Sequence, residues 1–298
     1  MTDDRLVEHT DVLVVDADDA NRATLCRSLA ETGFSHACVR SSAEALDTLT
    51  TSAFTVALLD SSLTDADGVE TLRRRMRAMT PPGIIVIVGG DTPHSALSAL
   101  KTHAYDLVAA PVQADLLREV IQGALTSGSA THPIDVLCAE LKRVELLVPC
   151  ARETVERAVR FINQIDSDLD VDARDTLGLA FRELLLNAVE WGGKLDATQR
   201  VRVVRMRAGG LLVYRITDPG PGFRFDDLPH AAGAHAHESA IAHMDVRDKA
   251  GMRAGGFGLM LVRALADVLM YNERGNEVTF VKYLAPAEYI GRPSSLSR

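Results

Sequence analysis

From residue 11 the chain alternates short apolar runs with helix-compatible stretches, and that alternation leaves its first half very few folds. DVLVVD at 11–16 is followed by a helical run ending at Leu29, ACV by a helical SSAEALDTLT, and FTVALLD by a helix after DGVE. GIIVIVGG and DLVAAP each lead into a further helix, the last reaching Leu125. Strands that are apolar throughout, without polar alternation, are buried on both faces, so helices must cover both sides of a parallel sheet. In such a domain the functional groups gather at the carboxyl ends of the strands. Asp16 and Asp60 stand at two of those ends.

At 298 residues the chain is long enough for a second core. A change of texture marks the division: TSGSATHP at 126–133 is small, polar and proline-terminated. A formal net charge of −9 argues against nucleic-acid or anionic-membrane binding, which needs clustered Lys and Arg. No apolar run is long enough to span a bilayer, and the acidic start MTDDRLVEHTD is unlike a secretory signal, so a cytoplasmic protein is expected. The four cysteines, Cys26, Cys38, Cys138 and Cys150, show no CxxC or Cys/His ligand spacing, and reduced thiols are expected. The tail from Pro286 has the composition of a disordered segment.

VLVVD together with LLDSSLTDADG resembles the receiver domain of two-component response regulators. The resemblance implies a flavodoxin-like (βα)5 domain over residues 8–126, with Asp60 as phospho-acceptor and Asp16 beside it. Phosphoryl transfer to a carboxylate also needs a magnesium ion and donors for the phosphoryl oxygens. Here the sequence departs from the family. Ala17 stands where a second acid is expected, Val88 or Gly89 where a hydroxyl belongs, and Ala110 where a lysine precedes the proline. The only lysine in the first 130 residues is Lys101. Asp60 is therefore read as a vestigial acceptor, and the domain as a docking or dimerisation module.

In the second half, RELLLNAVEWGG at 182–193 sets Glu183 and Asn187 one helical turn apart at the margin of an apolar stripe formed by Leu177, Phe181, Leu184 and Ala188. A solvated helix edge would look the same. Strand-like VRVVRM and LLVYRITD follow, the second running into DPGPGF, where Gly220 and Gly222 let the chain approach a ligand beside Asp218. GMRAGGFGLMLVRALAD then brings a glycine-rich loop, with Gly256 and Gly258, into a helix whose free N–H groups suit phosphate.

Those three stretches, in that order, resemble the N, G1 and G2 boxes of the GHKL ATPase superfamily, and the resemblance runs from about residue 143 to 284. It implies a Bergerat fold, an α/β sandwich of helices on a mixed sheet, that binds ATP with Mg2+. On that match Asn187 would hold the metal through its amide oxygen, and Asp218 would accept from the adenine amine. Gly220 and Gly222 would make room for the base, while Gly256 and Gly258 would line the triphosphate. The segment from about 229 to 253 would form a lid. Its histidines, His230, His235, His237 and His243, suit a solvated loop better than a metal site, because no acid or cysteine completes a convincing ligand set with them. Trp191 is expected to pack in the core against the pocket wall.

Glu183 discriminates among members of the superfamily. Histidine kinases usually carry Asn there, whereas the anti-sigma-factor serine kinases and the superfamily's ATPases carry Glu, and a carboxylate one turn from the metal-binding Asn can take a proton from an attacking hydroxyl. No helical hairpin with a phospho-acceptor histidine fits before the pocket, and the large extra domains of the chaperone and mismatch-repair relatives are not expected. The resemblance thus implies a protein serine/threonine kinase acting on a protein partner: an anti-sigma antagonist, a sigma-like factor or another signalling protein. No nucleic acid or membrane partner is expected, and a homodimer is left open. A non-catalytic ATP-gated switch and a split histidine kinase acting on a separate chain are the alternatives. The expected organisation is receiver 8–126, linker 127–142, kinase domain 143–285 and tail 286–298.

Overall fold

A computed structural model describes residues 8–63, 65–79, 84–127, 132–222 and 257–284. Its contacts form two compact units. The first comprises Met1–Val136 with Glu153–Asp175, and the second Leu137–Arg152 with Thr176–Arg298.

The first unit opens with the expected alternation: β1 (Glu8–Val15), α1 (Asp19–Thr32), β2 (His36–Val39), α2 (Ser42–Thr48), β3 (Ser52–Asp60) and α3 (Ala66–Arg77). It continues with β4 (Ile84–Gly90), α4 (Pro93–Lys101), β5 (Asp106–Ala110) and α5 (Ala114–Ser127). The five strands pair in parallel in the order β2-β1-β3-β4-β5, the flavodoxin-like arrangement. Residues on both faces of the strands are buried. Val12, Val14, Val56, Leu58 and Val86 pack with Leu25 and Leu29 of α1 and with Leu117 and Ile121 of α5. Their strand neighbours Leu13, Ala57, Leu59 and Ile87 are equally enclosed. This double burial is what removes polar alternation from these strands. Side-chain caps start the helices: Asp18 accepts from the Asn21 N–H at 2.8 Å, and Thr92 precedes a helix that begins with Pro93.

The cysteines depart from expectation. Cys26 of α1 and Cys38 of β2 are joined in a disulfide, with Cα atoms 6.7 Å apart, while Cys138 and Cys150 are free. His36 lies beside the joined pair. Packing of a helix on the next strand brings together residues whose separation in sequence fits no ligand motif.

Residues 153–175, which close the first unit, hold α6 (Arg152–Ile165) and the first turn of α7 (Val171–Asn187). The second unit holds the remainder of α7 and a six-stranded sheet of order β10-β11-β9-β8-β7-β6. Its strands are β6 (Asp135–Glu140), β7 (Arg143–Pro149), β8 (Arg200–Ala208), β9 (Leu211–Thr217), β10 (Val268–Tyr271) and β11 (Glu277–Tyr283), with α8 (Phe257–Leu265) before β10. The expected linker 127–142 therefore contains a strand. Its alternation of exposed and half-buried residues is that of a sheet edge. The described pairings β7–β8, β8–β9, β9–β11 and β10–β11 are all antiparallel, where a mixed sheet was expected. One of these pairs is set by a tight turn: Gly209 and Gly210, at φ of 57° and 79°, close a two-residue hairpin between Ala208 and Leu211. Phe181 of α7 meets Tyr214 of β9 in a tilted ring contact at 5.1 Å, and Tyr214 stacks on Phe280 of β11 at 5.9 Å. Such pairs add about 1 kcal/mol each beyond the area they bury. They fix the face of α7 that meets the sheet.

Among the described residues no helix is long and apolar enough to cross a membrane.

Candidate active site

Phe181, Leu184 and Leu185 hold α7 against the sheet, which leaves Glu183 and Asn187 to be placed by helix geometry. Glu183 is only 8% exposed although it is charged. Its carboxylate lies against the first turn of α8, where a Cβ on Gly258 would come 2.1 Å from Oε2. A helix start presents unpaired N–H groups and positive potential, so it draws an anionic group. Arg182 adds an ion pair at 3.9 Å. The glycine at 258 is thus what allows the carboxylate and the helix start to meet.

After Asn187 the helix changes character. Ala188–Gly192 is a π-helix, its widened turn closed by the Gly193 N–H donating to the Ala188 carbonyl at 2.9 Å. Single π-turns within helices are frequent at functional sites because they turn side chains out of the regular stripe. Trp191, in this turn, is 47% exposed and not part of the core, contrary to expectation. The widened turn carries it off the apolar stripe that a regular helix would have continued.

Asp218 follows the end of β9, with its backbone N–H donating to Asn276 and its carbonyl accepting from the Asn276 amide at 3.1 Å. One carboxylate oxygen accepts from the Gly220 N–H at 2.8 Å. Burial pushes the Asp218 carboxyl above its usual range, partly offset by the Gly220 N–H and by Arg274. The other side of the carboxylate is closed by Gly192, where a Cβ would lie 2.2 Å from Asp218 Cγ. Gly193 makes the same allowance for the Cys150 thiol, which burial raises to about 11. Gly222 takes φ of 82°, and a side chain there would strike the Arg274 carbonyl. The Arg274 guanidinium in turn holds the loop through the Gly220 and Pro221 carbonyls.

The second unit therefore sets Glu183 against Gly258, with Asn187 one turn further along α7, and gathers Asp218, Gly220 and Gly222 in the loop after β9. Gly192, Arg274 and Asn276 were missed by sequence reasoning. Gly192 carried a signal in the WGG that ends the helix. Arg274 and Asn276 carried none, because they act on residues more than 50 positions earlier. Gly256 and the proposed lid with its four histidines lie outside the described residues.

In the first unit, Asp16 and Asp60 meet at the carboxyl ends of β1 and β3, where the strand order reverses. Asp16 is 2% exposed and accepts from the Asp18 N–H at 2.8 Å. Burial, with the charge of Asp60 adding to it, raises the Asp16 carboxyl. Asp60 accepts from both the N–H and the hydroxyl of Ser62. At the expected hydroxyl position, a Cβ on Gly89 would meet the Ser61 hydroxyl at 2.4 Å. Ala110 is exposed, and Lys101 ends α4 with its side chain in solvent. Asp18 is occupied in capping α1.

Comparison with known proteins finds two domains in the chain, with residues 153–175 inside the second match although they belong to the first contact unit. Residues 12–122 match the response regulator receiver domain, and residues 148–282 match the histidine kinase-like ATPase domain. The transcriptional regulatory protein ZraR of Escherichia coli K12 is 31% identical over 130 residues, covering 43% of this chain and 28% of that protein. The swarming motility regulation protein RssB of Serratia marcescens is 33% identical over 100 residues, 34% of this chain and 46% of that one. This chain thus spans less than half the length of either relative. Among solved structures, a sensor protein from Polaromonas sp. JS666 shares 22% identity at a TM-score of 0.35, covering 40% of this chain and 97% of that one. The chain joins a response regulator receiver domain, residues 12–122, to a histidine kinase-like ATPase domain, residues 148–282, and the second of these implies ATP binding.

Proposed function

We propose that this chain is an ATP-dependent protein serine/threonine kinase of the anti-sigma-factor type, acting on a partner in a signalling system of the partner-switching kind. The observation that carries the reading is the Glu183 carboxylate, kept one turn before Asn187 and seated against Gly258 at the start of α8. A site that only sensed nucleotide would need Asn187 and Asp218 but no buried acid beside the phosphate-binding turn.

The residues present fit ATP and a magnesium ion. Asp218 is an acceptor in a half-buried slot kept open by Gly192 and Gly220, as recognition of an adenine amine requires. Asn187 supplies the neutral oxygen that a hard divalent cation takes. The bound metal and nucleotide supply the activated phosphoryl group. Glu183 acts as general base, taking the proton from a serine or threonine hydroxyl of the partner. The first turn of α8, with Gly258 and the neighbouring Gly256, holds phosphate oxygens through backbone N–H groups.

Support for a hydroxyl acceptor rests on Glu183, and for a regulatory receiver on the loss of phosphorylation chemistry at Ala17, Gly89 and Ala110. The test is transfer of label from γ-labelled ATP to a co-purified partner. Acid-stable label on serine or threonine is expected. Acid-labile label on histidine would replace this reading with a split histidine kinase. ATP-dependent partner binding without transfer would replace it with a switch.

A further inference from the structure

Helix α6 lies inside the family match to the ATPase domain, yet it is built into the compact unit of the receiver. The attachment is polar and mostly buried. Arg157 is 3% exposed, and its guanidinium lies 4.0 Å from the centre of the Tyr105 ring. It donates to the Tyr105 carbonyl at 2.7 Å and to the His132 carbonyl at 3.0 Å. One turn on, Arg160 closes on Asp106 at the start of β5, with Nε 3.0 Å and 3.1 Å from the two carboxylate oxygens and Nη2 2.5 Å from Oδ2. Asp106 is wholly buried. A turn later, Gln164 donates to the Gly90 carbonyl at the end of β4 at 2.8 Å. Past the end of α6, Arg174 in the first turn of α7 pairs with Asp91 at 2.8 Å.

Residues 157, 160 and 164 fall on one face of the helix by spacing. A buried carboxylate held by a bidentate guanidinium is not exchangeable for solvent, since either partner left alone would be an unpaired buried charge. The receiver has lost groups needed for aspartyl phosphorylation while this face is fully equipped. Helix α7, whose first turn is pinned through Arg174, runs without a break to Glu183 and Asn187.

We propose that the β4–β5 edge of the receiver is a docking face for α6 and the start of α7, and that this clamp orders the helix carrying Glu183 and Asn187. The proposal rests on the reading of α7 as the ATP-binding helix, and its test has a readout that does not need ATP. Hydrogen exchange would be followed in the full chain without nucleotide, comparing the parent with Arg160→Ala, Arg160→Lys and Asp106→Asn. Exchange should rise in α6 and also in residues 176–187, less in Arg160→Lys than in Arg160→Ala. The dissociation constant for ATP with magnesium should rise by about fivefold or more, the usual range of coupling between sites. Faster exchange confined to α6, with residues 176–187 and ATP affinity unchanged, would overturn the proposal and leave a purely structural attachment. If Arg160→Ala does not fold, Arg174→Ala, which breaks a more exposed pair, takes its place. It should show a smaller rise in the same segment, and no rise would overturn the proposal equally. A parent protein that binds no ATP would defeat the kinase reading alone, with the exchange result still deciding the clamp.

Discussion

The acidic pocket of the receiver and the proposed nucleotide site of the ATPase domain both begin from carboxylates at element ends, and they differ in what surrounds those carboxylates. Around Asp60 there is a second acid in Asp16 and a local hydroxyl in Ser62, but alanine stands where a further acid and a lysine would be needed. Around Asp218 and Glu183 each neighbouring position is adapted. Glycines at 192, 220 and 258 leave room for the two carboxylates, and Arg274 and Asn276 brace the loop. On the proposed reading, the receiver keeps the frame of a phosphorylation site without its chemistry. An equipped site shows itself less in the acidic residues than in the small residues that let them approach their ligands.

The contrast can be broken most severely at Gly192. Gly192→Leu would drive a side chain into Asp218, and ATP binding should fall below detection by calorimetry while circular dichroism still reports a folded chain. Retained binding would show that Asp218 does not face the nucleotide. Next in size, Asp218→Asn removes a charged acceptor, and affinity should fall by about ten- to a hundredfold, the range of one hydrogen bond to an ionised group.

The same residue gives a pH signature. Burial raises the Asp218 carboxyl, and the ionised form is the one that accepts from the base. Affinity should therefore be full above that raised value and decline as pH falls through it, at a higher pH than an exposed aspartate would allow. In Asp218→Asn this acid limb should disappear. An unchanged profile in the variant would assign the titration to another group.

The smallest expected effect lies in the receiver. Acetyl phosphate or beryllofluoride should leave no lasting modification at Asp60, and Asp60→Asn should not change ATP affinity. A magnesium-dependent adduct seen by mass spectrometry would make the two pockets alike after all.

What the sequence disclosed follows the range of the interactions. The apolar strands and the four-residue spacing of Glu183 and Asn187 were legible because strand burial and helix periodicity are local. The absences at Ala17 and Ala110 were legible for the same reason, as each sits a fixed distance from a strand end. Asn276 and Arg274 were invisible because they reach the Asp218 loop only after β9 and β11 pair. The exposure of Trp191 was not legible because the π-turn takes it off the helical period, nor was the Cys26–Cys38 link, because helix-on-strand packing sets its distance.

The most direct test of the central claim, that the catalytic group is Glu183, compares phosphoryl transfer to a partner hydroxyl by the parent and by Glu183→Gln at saturating ATP with magnesium. The amide keeps the shape and the packing against α8 but cannot take a proton. Transfer should fall by about a hundredfold or more, the contribution of a general base, with ATP affinity preserved. Transfer at the parental rate would contradict the account and reduce Glu183 to a cap on the start of α8.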